Sequence, residues 1–309
     1  MKESGYLWLG DIPCDWNTKR IKYIAKLKGR IGWQGLTSDE YQDDGAYLIT
    51  GTDFVDGEIN WESCEHIPYK RWEEATEIQI EEGDLLITKD GTVGKVAIVN
   101  NVTEKTSLNS GVLRIIPNDE NDRKFLFWVL RSDVFWNWFN YKNAGNSTIL
   151  HLYQNDFYEF VYAFPKLNEQ KIIANSLDER CKRIDGIVAD LENQIDKLTS
   201  FKSSLIFECV TKGLNKKTEF KNSGVEWIGN IPSDWKVKRF KYLHNGTNVG
   251  ETIDKEFWSD DTNDSVFYSA GEKYTYTTNT DFPSCKYTKN NDLLLSRNGT
   301  PYIYILYTI

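Results

Sequence analysis

Apolar positions recur every seventh residue between Gln170 and Thr211. They are Leu177, Ile184, Leu191, Leu198 and Leu205, with Cys181, Val188 and Ile195 each four residues after one of the first three. This is a heptad seam on one continuous helix, unbroken by proline or a turn cluster. At the usual rise per residue such a helix is a rod of about 63 Å. Burying its seam would contribute on the order of 12 to 24 kcal/mol, an upper bound. A lone helix buries none of that, so the seam requires a second helix, from this chain or another.

Ahead of the rod the patterns are shorter. Asp15 or Asn17 can cap a helix with Ile21, Ile24, Ala25 and Leu27 on one face and Gly29 at its end; Lys19, Arg20, Lys22, Lys26, Lys28 and Arg30 make its other face basic. β-type runs predict strands over 46–50, 58–61, 84–89, 93–99 and 112–116, and the third and fourth flank the hairpin signal Asp90-Gly91. Phe125, Trp128, Val129, Phe135 and Phe139 keep helical spacing across 125–141, widened by Trp136 and Trp138. Residues 157–164 read as a strand stopped by Pro165.

The chain also repeats itself. Ser4-Gly5-Tyr-Leu-Trp8-Leu-Gly10-Asp-Ile12-Pro13-Cys-Asp15-Trp16 returns as Ser223-Gly224-Val-Glu-Trp227-Ile-Gly229-Asn-Ile231-Pro232-Ser-Asp234-Trp235, an offset of 219. Asp84-Leu-Leu-Ile-Thr-Lys89-Asp-Gly91-Thr92 returns as Asp292-Leu-Leu-Leu-Ser-Arg297-Asn-Gly299-Thr300, an offset of 208. A common frame with variable filling is what two modules with different ligands require. The second copy stops at Ile309, which matches residue 101 of the first.

Composition narrows the classes. With 309 residues, 40% hydrophobic and 14% aromatic, the chain has material for about two packed domains. No apolar stretch approaches the roughly 20 residues of a membrane span, and no charged-then-apolar leader opens the chain, so a cytoplasmic location and no membrane partner are expected. Cys14, Cys64, Cys181, Cys209 and Cys285 form no C-x-x-C pair, and His66, His151 and His244 lie far apart, so neither a metal site nor a disulfide framework is expected. The net charge of -9 opposes indiscriminate polyanion binding but leaves room for a local basic surface.

Candidate chemistry is mostly of the binding kind. Lys89, Thr92 and Lys95 sit on a glycine-containing hairpin that can approach a nucleic-acid backbone, or that is an ordinary surface turn. Lys142, Asn146, Ser147 and Thr148 offer the amide, hydroxyl and cation types that bond base edges and phosphates, or that terminate a helix. The tryptophan-rich stretch fits a packed core better than stacking platforms. Glu169-Gln170-Lys171 has the E-x-K spacing of a metal-dependent nuclease, with Asp84 or Asp119 as partners, but also suits the first turn of the long helix. No nucleotide-binding, hydrolase or methyltransferase motif is present, and no cofactor is expected.

Taken together, these pieces resemble one family, the DNA-specificity subunit of type I restriction-modification systems. The resemblance rests on the opening Trp8 to Trp16, Arg30-Ile-Gly-Trp33-Gln34-Gly35-Leu, Tyr47-Leu-Ile-Thr-Gly51-Thr-Asp53-Phe, Gly83 to Lys95, and Pro165-Lys-Leu-Asn-Glu169-Gln170-Lys leading into the heptads. It implies an α+β fold: a mixed α/β target-recognition domain (1–167), a long coiled-coil helix (168–217) and a partial second recognition domain (218–309). It also implies a non-catalytic subunit that binds double-stranded DNA through Arg30, Trp33, Gln34, the hairpin and the 142–148 loop. Methyltransferase subunits carrying S-adenosylmethionine chemistry and a motor-nuclease restriction subunit would be its partners at a bipartite site. A self-sufficient nuclease and a truncated remnant are the alternatives. A chain that lacks its second helix is expected to pair its seam with that of a second copy.

Overall fold

The computed structural model describes residues 1–30, 35–144, 150–215, 217–244, 246–268, 274–289, 292–296 and 303–305. The chain divides into two compact units, Met1–Leu198 and Thr199–Ile309. The first unit carries strands β1 (Lys2–Glu3), β2 (Asp11–Ile12), β3 (Asn17–Arg20), β4 (Ala25–Gly29), β5 (Ala46–Ile49), β6 (Phe54–Val55) and β7 (Glu58–Ile59). It continues with β8 (Glu65–Ile67), β9 (Leu85–Thr88), β10 (Val96–Ile98), β11 (Thr106–Leu108), β12 (Val112–Pro117) and β13 (Val161–Phe164). The helices are α1 (Tyr69–Glu73), α2 (Arg123–Arg131), α3 (Asp133–Lys142), α4 (Gln154–Phe157) and the 46-residue α5 (Leu167–Lys212), which extends into the second unit.

The centre of the first unit is an antiparallel sheet in the order β10-β9-β12-β4. Its two faces are both covered. Leu85 and Ile87 point into a core with Leu113, Ile115, Phe135, Trp138 and Phe160, while Leu86 joins Ile49, Ala97, Leu108 and Val112 in a second core. Alternation along β9 serves both cores at once, which is why its four residues are all buried. A three-stranded sheet, β11-β5-β8, contributes Ile49 and Leu108 to the second core.

The helix expected over 17–29 is not formed. Its residues make β3, a 3-10 turn at Ile21–Tyr23, and β4. Ala25 and Leu27 are buried while Lys26 between them is exposed, a period of two, and β4 pairs with β12 from Gly29↔Leu113 to Ala25↔Pro117. The i, i+3, i+4 spacing of Ile21, Ile24 and Ala25 suits a helix locally; pairing with a strand some 90 residues away overrides it. The aromatic helix is likewise two helices. Ser132 interrupts it, its hydroxyl accepting from Val134 N to cap α3, as the Asp122 carboxylate accepts from Phe125 N to cap α2. The stretch 157–164 begins with the end of α4 and turns extended only at Val161. The strands expected at 46–50, 58–61, 84–89, 93–99 and 112–116 are all present, the first four in shorter form and the last one residue longer.

From Glu179 onward α5 presents nearly every side chain to solvent. Leu191, Ile195 and Leu198 are 52%, 62% and 66% exposed, so no described residue covers the seam there. No helix among the described residues is long and apolar enough to cross a membrane.

The second unit repeats the frame down to hydrogen bonds. Strands β14 (Phe220–Asn222) and β15 (Asn230–Pro232) pair Lys221↔Ile231 and Asn222↔Asn230, the counterparts of Lys2↔Ile12 and Glu3↔Asp11. Ser223 N donates to Gly229 O as Ser4 N does to Gly10 O. Asp292 Oδ2 accepts from Lys289 N as Asp84 Oδ2 accepts from Glu81 N. Beyond lie β16 (Trp258–Ser259), β17 (Ser265–Phe267) and β18 (Thr275–Thr277) in one sheet, and the pair β19 (Leu293–Leu295) and β20 (Ile303–Ile305). The recurring Arg297 to Thr300 lies outside the described residues.

Candidate nucleic-acid interface

The hairpin between β9 and β10 is held from three sides. At its base, Thr88 Oγ1 accepts from Lys95 N at 3.0 Å and donates to Thr92 O, while Gly94 N donates to Thr88 O at 3.0 Å. Gly94 has φ +84°, and a Cβ there would lie 2.7 Å from two ring carbons of Trp136 on α3. Only glycine permits that approach. On the second side Thr92 Oγ1 donates to Gly51 O at 3.2 Å, and Lys95 Nζ reaches Gly51 O and Phe54 O at 3.4 Å each. The turn carrying Gly51 is tied by buried Asp53, whose Oδ2 accepts from Thr50 N and Oγ1 and whose Oδ1 accepts from Ser63 Oγ.

The third side is a polar knot. Lys89 N donates to Gly111 O at 2.8 Å, and Leu152 N donates to Lys89 O at 2.9 Å. Lys89 Nζ lies 2.5 Å from Asp90 Oδ2, and His151 Nδ1 lies 2.6 Å from Asp90 Oδ1. Burial alone would raise the Asp90 carboxyl; the hydrogen bonds and charges of Lys89 and His151 outweigh it and hold the group below its ordinary value.

Lys89, Thr92 and Lys95 are thus brought together on one turn, half-exposed to exposed, with each polar tip engaged inside the fold. Arg30 stands beside them at the end of β4, since Gly29 pairs with Leu113 and Val112 with Thr88. It is buried, with Nε donating to Leu108 O at 2.7 Å and Nη2 to Ser107 Oγ at 2.9 Å. Burial, then the charge of Arg71, lower its pKa to about 10, so it remains a cation at neutral pH. Lys142 is exposed at the end of α3 and acts on the Glu159 carboxylate, which also pairs with Lys22 at 2.6 Å and Arg20 at 3.3 Å. Lys19 pairs with Glu120, and Lys28 with Glu77. Much of the basic character of 19–30 is therefore balanced by acids from elsewhere in the fold. Trp33, Gln34, Asn146, Ser147 and Thr148 lie outside the described residues.

Two features had no signal of their own in the sequence. Gln170, fully buried, joins α5 to the sheet domain: its Oε1 accepts from Asp122 N at 2.7 Å, and its Nε2 donates to Pro165 O at 2.9 Å and Glu120 O at 3.1 Å. Two turns on, Asp178 accepts from Trp128 Nε1 at 2.8 Å and pairs with Lys124 at 2.6 Å, while Ala174 packs into the first core. The middle residue of Glu169-Gln170-Lys171 is thus the pin of a joint. Asp84, one conceivable partner of that tripeptide, pairs instead with Arg114 Nε at 2.9 Å, nearly out of solvent.

Comparisons with known proteins agree with the geometry. The family described as "type I restriction modification DNA specificity domain" matches residues 13–197. The type I restriction enzyme MjaVIII specificity subunit of Methanocaldococcus jannaschii is 27% identical over 237 residues, 74% of this chain and 49% of that protein. The EcoBI specificity subunit of Escherichia coli is 27% identical over 198 residues, 62% of this chain and 39% of that protein. The chain spans about half the length of the curated relatives it matches. A chain from a solved type I R-M system shares the fold with a TM-score of 0.52 at 18% identity, covering 66% of this chain and 48% of its own. With its mixed sheets, its single long helix and a family match over more than half its length, the chain belongs to the type I restriction modification DNA specificity domain family.

Proposed function

We propose that this chain is the non-catalytic, sequence-reading component of a type I restriction-modification assembly and directs methyltransferase and restriction partners to a bipartite site in double-stranded DNA. The observation that carries this reading is a recognition frame that occurs twice, before and after the long helix in sequence, with the helix's apolar seam uncovered by any described residue. Residues 1–167 form the first reader, 168–217 the spacer and 218–309 part of a second reader. The end of the sheet that bears Lys89, Thr92 and Lys95 faces DNA and Arg30 braces it from within; Trp33, Gln34, Lys142 and 146–148 are assigned to DNA contact on their residue types and the family resemblance. The chain works in the cytoplasm.

The test is selection. The chain, assembled with its modification subunit, is bound to random duplexes and the retained DNA is sequenced; an enriched motif is expected, and its absence refutes the reading. The seam is assigned to pairing with a second copy of the chain, since its exposed leucines and isoleucines have the spacing of a coiled coil. Sedimentation should give a dimer that Leu191→Asp and Ile195→Asp together convert to monomer. A wild-type monomer overturns the self-association.

A further inference from the structure

We propose that Asp90 is a specificity-determining residue that keeps the hairpin from binding DNA indiscriminately by occupying Lys89 and His151 with its two carboxylate oxygens. The proposal rests on the DNA-binding reading above and adds a residue that no base or phosphate contact would single out.

Its ground is geometric. Asp90 stands at the turn of the hairpin, next to Gly91, with Oδ2 on Lys89 Nζ at 2.5 Å and Oδ1 on His151 Nδ1 at 2.6 Å. Consecutive side chains of an extended strand point to opposite faces, so the Lys89–Asp90 pair exists only because the chain turns there. His151 is 61 residues away in sequence and is held at the turn by the adjacent Leu152 N to Lys89 O bond. The carboxylate is about one-third exposed and sits among the cations that a DNA-facing surface would present. A phosphate that approaches Lys89 must displace Asp90 and tolerate its charge. In the cognate register base contacts hold the duplex and the Lys89–Asp90 pair stays closed; a random duplex depends on phosphate contacts alone and is denied this one. The arrangement opposes wrong partners rather than attracting the right one.

The magnitude follows from counterion release. Freeing one lysine for a phosphate adds about 0.9 to the log-log salt slope, which at 0.15 M salt corresponds to roughly fivefold tighter sequence-independent binding. Asp90→Asn keeps the side-chain shape while removing the charge.

The experiment uses the full chain with its modification subunit and measures affinity for a random duplex and for the selected motif across a salt series. Asp90→Asn should bind the random duplex about fivefold tighter with a slope steeper by about one, and the selectivity ratio should fall by a similar factor. Asp90→Glu should restore selectivity, and Lys89→Gln in the Asp90→Asn background should return the slope to the wild-type value. Unchanged or weaker random-duplex binding by a variant that melts like wild type overturns the role of Asp90. If wild type itself binds neither duplex, the DNA-binding reading fails, and this proposal with it.

Discussion

Replacing Gln170 with leucine isolates the joint between the recognition domain and the rod. The side chain is fully buried and its volume is nearly kept, so packing changes little while three hydrogen bonds are lost. Asp122 N is left without its 2.7 Å acceptor, and the Pro165 and Glu120 carbonyls without their donor. The Pro165 carbonyl is stranded in a buried place at a cost of about 1 to 3 kcal/mol, while the Asp122 amide and the Glu120 carbonyl are part-buried and recover some of their loss from water. The net loss is about 2 to 3 kcal/mol, a sizeable fraction of a typical domain's stability. Urea denaturation should show the midpoint falling with the slope m unchanged, and hydrogen exchange at the Asp122 amide should accelerate before global unfolding. Glu169→Ala and Lys171→Ala, on either side, should each shift stability by less than about 0.5 kcal/mol. A Gln170→Leu loss below about 1 kcal/mol, or equal losses at all three positions, would refute the account of Gln170 as the pin.

Other tests address the hairpin and its support. Gly94→Ala should lose about 3 kcal/mol, because the new Cβ meets Trp136 at 2.7 Å and the residue is held at φ +84°; thermal melting checks this, and a melting temperature equal to wild type contradicts it. Asp84→Ala leaves the guanidinium of Arg114 facing an empty, nearly dry site and should cost about 3 to 5 kcal/mol, whereas Asp84→Leu with Arg114→Met should recover most of it. The Asp90 carboxyl has a folded-state pKa below its unfolded value of about 3.9, so its contribution is full above that pH and is lost as pH falls through the folded value. Urea titrations between pH 6 and 2 should therefore show a shallower acid limb for Asp90→Asn than for wild type, and coincident limbs would count against the Lys89–Asp90–His151 knot.

What could be read before folding was whatever repeats or is decided within a few residues. The strand-turn-strand of 84–99 was visible because Asp90-Gly91 is a turn signal between two apolar runs. The break at Ser132 was not legible, because the aromatic stripe keeps helical spacing on both sides of it. The basic stretch 19–30 misled because helical and extended spacing coincide over Ile21, Ile24 and Ala25, and only β12 separates them.

The sequence by itself determined the duplicated frame, a long rod from about Gln170 to Thr211 with its seam, the hairpin and the family, because periodicity, turn chemistry and self-similarity are properties of neighbouring residues. Only the tertiary structure decided what each polar group is committed to. Lys89 is paired with Asp90, Arg30 is spent on Ser107 and Leu108, and Gln170 pins a joint instead of flanking a metal. A hydrogen bond or ion pair forms where distant segments meet and water is excluded, and the partners of Gln170 and Asp90 lie up to 61 residues away along the chain.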